Sequence, residues 1–249
     1  MTWLEAETAT RPECEAFVEE NPWAILPIGA CEQHGPHLPQ NTDTLLAQAV
    51  ARRVAEVEGG LLLPALSVSY SWVWRDSSGT LSLEVDTFRS FVADLAHSCH
   101  RWGCSHLLIV NGHGANPAPL KYTIRELSDE LPQLHILSLF YPHIGRLREE
   151  AETPMWAGGS FHAEEIETSM MLHLHPDLVR LDLALAEYPE TSLGYEGSST
   201  PMGALSRSGL FGDPTAATAE KGERWLRYWV EECSLRWTEF RQSGAHVRE

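Results

Sequence analysis

Short apolar runs alternate with amphipathic stretches along this chain, and that alternation limits the folds open to it. "AILPIGA" (Ala24–Ala30), "LLLPALSVSY" (Leu61–Tyr70), the "HLLIV" ahead of Asn111 and "HILSLFY" (His135–Tyr141) read as buried strands. "SGTLSLEV" (Ser78–Val85) alternates and reads as a further short strand. From Asp43, the residues Leu45, Leu46, Ala49, Val50, Val54 and Val57 recur at helical spacing until Gly59-Gly60 ends the run. Asp86 and Thr87 are placed to cap a helix that runs to about Trp102, where Gly103 stops it. Pro117 can start another. His162 to His175 carries Ile166, Met170, Met171 and Leu174 on a shared side, and a last long helix is expected near Ala219–Arg241. Strand, helix, strand, helix is the order of an α/β domain with a mostly parallel sheet. The stretch from Glu187 to Pro214 is rich in Gly, Ser, Thr and Pro, and a connection of that length in a domain tends to be functional or mobile.

Chemistry concentrates where strands end. "CEQHGPHLPQNTD" (Cys31–Asp43) follows the first strand and carries two acids and two histidines, with two prolines and a glycine stiffening the chain between them. "NGHGAN" (Asn111–Asn116) follows another strand. Ligands of open α/β sheets sit beyond the carboxyl ends of strands. If the two strands are parallel neighbours, His113 meets Glu32, His34 and Asp43 at one sheet edge. Two carboxylates and two imidazoles suit Zn²⁺, Mn²⁺ or Fe²⁺ rather than Cu(I) or an iron–sulfur cluster. A third cluster, "HAEEIETS", places His162 just ahead of a helix, free to point into a site if the helix starts after it. Taken singly, Glu32 could cap a turn and Asp43 its helix, and His106, His135 and His173 read as surface or satisfied core residues. "NGHGAN" could cradle a phosphate on its backbone amides, but it lacks the Lys and Ser/Thr of a P-loop.

A formal net charge of −17 argues against a nucleic-acid partner. Five cysteines without a C-x-x-C pair point to a reducing compartment, and no stretch of 18 apolar residues offers a membrane span. The expectation is a cytoplasmic protein with no membrane or nucleic-acid partner.

The segments "LPIGACEQHGPHLPQNTD", "IVNGHGAN", "HAEEIETS" and "GDPTAATAEKG" resemble, in order, the motifs of the creatininase family of creatinine amidohydrolases. The resemblance implies a single domain over residues 1–249, a three-layer α/β/α sandwich, and a homo-oligomer such as a hexamer. It also implies two divalent metal ions per subunit, zinc first with manganese or iron as alternatives. By position, Glu32 and His113 look like ligands of one metal, His34 of the other, and Asp43 a bridge between them. His162 matches the family's substrate-binding or catalytic histidine. True creatininases carry a glutamate two residues after the "NGH" histidine, where this chain has Ala115. That is closer to an "NGHGGN" branch that includes deformylase-like and peptide-processing members. Glu167 is the expected replacement, as metal ligand and in catalysis, with Glu165 the runner-up. Cys31 stands where many relatives have serine. Ser77 and Ser78 stand where a phenylalanine and a proline are expected. The implied activity is hydrolysis of a non-peptide C–N bond, in a small amide, lactam or formamide, by a metal-activated water. Trp72, Trp74 and Trp156 either line the substrate pocket or belong to the core. The rivals are a metal-free cysteine hydrolase built on Cys31, creatinine hydrolysis proper, and a non-catalytic metal- or ligand-binding homologue.

Overall fold

Strands β2 (Trp23–Ile28) and β4 (His106–Asn111) pair in parallel over their whole length, Ile28 opposite Asn111, so that both chains leave the sheet side by side. They are the centre of a five-stranded, all-parallel sheet in the computed structural model, which describes residues 2–156, 162–191 and 197–243. The other strands are β1 (Trp3–Glu5), β3 (Gly60–Leu62) and β5 (His135–Phe140), and the spatial order is β1-β3-β2-β4-β5.

Side chains alternate across the strands and build one core on each face. Ile25, Leu108 and Val110 pack with α2 (Thr42–Glu58), α6 (Glu165–Leu174) and α7 (Ala219–Ser243). Leu26, Ile28, Leu107 and Ile109 pack with α1 (Arg11–Glu20), α3 (Val85–Arg101) and α4 (Pro117–Glu130). A short α5 (Ile144–Glu150) joins the first face through Leu147. This is the expected α/β/α sandwich.

The order of strands makes the crevice. From β2 the chain passes through α2 to β3 on one side, and from β4 through α4 to β5 on the other. The two helices lie on opposite faces of the sheet, so the carboxyl ends of β2 and β4 form a topological switch point. Two glycines let α2 close on that point. A Cβ on Gly29 would stand 2.3 Å from the Thr44 backbone, and one on Gly112 2.3 Å from the Asp43 carbonyl oxygen.

Several local expectations need correction. Leu61–Tyr70 is not one strand. β3 ends at Leu62, two residues before Pro64, and only single bridges at Leu66 and Ser69 follow. Ser78–Val85 holds bridges at Leu81 and Ser82 rather than a strand. Asp86 and Thr87 do not cap α3, which starts after Glu84; Asp86 sits in the first turn, where its charge favours the helix dipole. Within the 187–214 stretch, residues 192–196 lie outside the described residues, as do Met1 and 244–249 of the expected single domain.

Candidate metal centre

Asp43 opens α2 without capping it: the N-cap is Asn41, and the Asp43 carboxylate makes no cap hydrogen bond. It turns instead into the crevice, with Oδ1 3.1 Å from His34 Nε2 and Oδ2 2.8 Å from His113 Nδ1. Glu32 Oε1 lies 3.2 Å from the same His113 nitrogen, and its other oxygen accepts from Ser71 Oγ. Glu167, in the first turn of α6, brings Oε2 to 4.0 Å from His34 Nε2. The same oxygen accepts the Ala163 amide at 2.7 Å. All five of these side chains are buried. Glu165, the runner-up, turns away: its carboxylate accepts from Lys221 Nζ at 2.7 Å and from Thr153 N and Oγ1 at 2.8 Å.

Three histidines share one design. His113 donates Nε2–H to the Tyr70 carbonyl at 3.0 Å, which turns Nδ1 toward Asp43 and Glu32. His34 donates Nδ1–H to the Glu32 carbonyl at 3.1 Å, leaving Nε2 toward Asp43 and Glu167. His162 donates Nε2–H to the Gln33 carbonyl at 2.7 Å, leaving Nδ1 3.6 Å from Glu32 Oε1. A backbone carbonyl on the far nitrogen is how proteins fix the tautomer and aim of a metal-bound imidazole. His162 precedes α6, which begins at Glu165 behind the Glu164 N-cap, and Ala163 between them takes a left-handed φ of 56°. That strained conformation is held beside the site.

The electrostatics ask for positive charge. Burial opposes ionisation of Asp43 and Glu32, yet the neighbouring histidines hold both carboxyls below their ordinary values. Burial likewise opposes protonation of His34, but the charges of Asp43, Glu167 and Glu32 lift it to about 9; His113 rises well above 6.5 for the same reason. Glu167 goes the other way, pushed up to about 8 by burial with Asp43 and Glu164 adding. Among the described residues no Lys or Arg forms an ion pair with Glu32, Asp43 or Glu167. Burial, with the charge of His34, pushes His162 down to about 4, so its ring is neutral at pH 7.

The donors fall into groups that fit metal ions. Glu32, Asp43 and His113 offer ligand atoms within 4.8 Å of one another, and so do His34, Asp43 and Glu167, with Asp43 common to both. Glu32, His34 and His162 form a third such group. Buried oxygen and imidazole donors in this mixture suit zinc, manganese or iron.

Sequence reasoning missed several neighbours. Ser71 reaches Glu32 from the irregular chain after β3, and Asn111 Nδ2 closes the His113 loop by donating to its carbonyl at 2.9 Å. Gln33 and His37 were in plain view but had no assigned role; His37 Nε2 lies 2.9 Å from Thr168 Oγ1. Of the tryptophans, Trp74 stacks on the His162 ring at 4.7 Å, while Trp156 packs edge-on against Phe211 at 4.7 Å. Trp72 lies under the Arg75 guanidinium, 4.1 Å from its ring centroid. Cys31 Sγ lies 3.5 Å from the Gly79 carbonyl, outside all three donor groups.

A parallel α/β/α sandwich with a buried carboxylate–histidine cluster at its switch point is built to bind metal ions. The creatininase family model, creatinine amidohydrolase, matches residues 7–235, and the chain belongs to that family. It is 33% identical over 236 residues to the mycofactocin precursor peptide peptidase of Mycobacterium ulcerans (strain Agy99), covering 87% of this chain and 86% of that one. It is 31% identical over 231 residues to the creatinine amidohydrolase of Pseudomonas putida, covering 83% and 85%. The crystal structure of a creatinine amidohydrolase superposes with a TM-score of 0.84 at 31% identity, over 96% of this chain and 99% of that one. Similar creatininase structures include a manganese form (TM-score 0.82, 31% identity, 96% and 98% coverage) and a Zn-Zn mutant form (0.81, 29%, 96% and 98%).

Proposed function

We propose that this protein is a two-metal amidohydrolase acting on a small amide, lactam or formamide other than creatinine. The observation that carries the reading is Asp43, which belongs to both donor groups and so can bridge. Glu32 and His113 would hold one divalent ion, and His34 and Glu167 the other. Zinc is the first choice, and the zinc and manganese forms of the relatives support this class of ion. Such ions supply Lewis acidity, lowering the pKa of a bound water toward roughly 7 and polarising a carbonyl. The chain's own residues do the rest. Ser71 orients Glu32, and the Tyr70 and Glu32 carbonyls orient His113 and His34. His162, neutral and with Nδ1 bare toward the site, would take the proton of the attacking water at that atom and return it to the leaving nitrogen. The stack of Trp74 on His162 excludes water from the ring's outer face.

Ala115 motivates the exclusion of creatinine, because a carboxylate expected at that position is supplied here by Glu167 from another direction. Proton-transfer groups are commonly worth roughly 10²–10⁴ in rate, and a displacement of about 1 Å can cost on the order of 10². A second reading, a short peptide as substrate, is favoured by the 33% identity to a precursor-peptide peptidase. We also take the protein to be cytoplasmic and a homo-oligomer such as a hexamer; exposed Leu178, Leu181 and Leu183 are apolar area that a second copy would cover.

The test is steady-state kinetics of metal-loaded protein on creatinine beside a panel of lactams, formamides and short peptides, with a chelated control. Metal-dependent turnover of a panel member above creatinine supports the proposal. A creatinine kcat/KM of roughly 10⁴ M⁻¹s⁻¹ or more, within the usual enzyme range, overturns the exclusion of creatinine.

A further inference from the structure

The Gly- and Ser-rich stretch after Glu187 reaches the site at two places. Glu187 and Gly212 exchange backbone hydrogen bonds, Glu187 N to Gly212 O at 3.0 Å and Gly212 N to Glu187 O at 2.9 Å. The Glu187 carboxylate then gathers the turn between them. Oε2 accepts from Ser206 Oγ at 2.7 Å, Ser208 N at 2.9 Å and the Ser208 hydroxyl, while Oε1 accepts from Arg207 N at 2.9 Å. Ser206 Oγ accepts in turn from Gly209 N at 2.8 Å.

Gly209 is where the turn touches the catalytic side. Its φ is 86°, and a Cβ there would stand 1.7 Å from Gln33 Oε1. Its carbonyl accepts from Gln33 Nε2 at 2.9 Å. Gln33 Oε1 accepts from Gly35 N at 3.0 Å, which leaves the Gln33 amide no freedom to flip. The His162 ring donates Nε2–H to the Gln33 backbone carbonyl at 2.7 Å, and the Gln33 amide nitrogen, 3.0 Å from that ring nitrogen, packs against it without a hydrogen bond between the two donors. Two residues further on, Phe211 N donates to the His162 carbonyl at 3.1 Å. The turn therefore supports His162 by its ring, through Gln33, and by its backbone, through Phe211.

We propose that Glu187 is a positioning residue for His162: by ordering the 206–209 turn it fixes Gln33, and through Gln33 it fixes which His162 nitrogen faces the metal centre. The inference rests on the reading of His162 as the proton carrier.

The test uses full-length, metal-loaded protein with ¹⁵N-labelled histidine, and it reads the His162 ring by NMR. The wild type should show one tautomer, protonated at Nε2. Glu187→Ala should mix or broaden that signal with metal content unchanged, and should lower kcat about tenfold or more with little change in KM. Glu187→Gln, which keeps an oxygen acceptor, should restore part of both. If Glu187→Ala does not fold, Ser208→Ala removes fewer of these bonds and should give a smaller shift of the same kind. A His162 signal identical to wild type in these variants overturns the proposal and leaves Glu187 a local turn stabiliser. The ring signal needs no substrate, so failure of the amidohydrolase reading would not be mistaken for failure of this one.

Discussion

Gly112 lies against Asp43 so closely that a Cβ on the glycine would stand 2.3 Å from the Asp43 carbonyl oxygen. The loop after β4 and the first turn of α2 can meet only because that Cβ is missing, and their meeting brings His113 Nδ1 to 2.8 Å from Asp43 Oδ2. Gly112→Ala should therefore cost about 1–3 kcal/mol by overpacking and weaken metal binding together. Urea unfolding and a metal titration check this; a variant with both unchanged would refute the packing argument.

Asp43 and His34 should differ in what their loss removes. Asp43 belongs to both main donor groups, whereas His34 is absent from the one with Glu32 and His113. Asp43→Ala should lose both ions and His34→Ala mainly one, as read by elemental analysis after gel filtration. Full occupancy in Asp43→Ala would sink the bridging role.

Cys31 precedes Glu32, and in extended chain neighbouring side chains point to opposite sides. Its Sγ faces the Gly79 carbonyl at 3.5 Å. Cys31→Ser should keep most activity while chelation abolishes it. The reverse pattern would favour a cysteine nucleophile.

Acid should destabilise the fold through His106, at the far end of β4. Burial, with His135 and Arg241 nearby, pushes its pKa from 6.5 down to about 4. A histidine with a lowered pKa binds its proton more weakly when folded, so stability is full above about 6.5 and falls as pH drops toward about 4. Allowing for its partial exposure, the loss is about 1 kcal/mol at pH 4.5. Metal-free His106→Gln should lose less stability than metal-free wild type between pH 7 and 4.5 in urea unfolding. Equal losses would mean that His106 does not carry the effect.

The legible parts of this protein were those where one physical signal dominates. The apolar run of β4 and the periodicity of α2 and α6 specify their elements, and the density of acids and histidines after β2 marks the crevice. The illegible parts depend on distant partners. β1 is three residues long and exists through its pairing with β3. α1 is mostly exposed and buries only Val18, so its apolar period is weak. Ser71 carries no motif; only the return of the chain past Glu32 gives its hydroxyl a role. Glu165 and Glu167 could not be told apart by spacing, because the choice is made by Lys221 on α7, which takes Glu165.

The most direct test of the metal centre is a crystal structure of metal-loaded protein with anomalous scattering collected at the metal edges. Two peaks are expected roughly 3.5–4 Å apart, the usual spacing of two-metal sites. One should be bound by Glu32 and His113, the other by His34 and Glu167, with Asp43 touching both. A single peak, or a second ion bound without Glu167, would contradict the account.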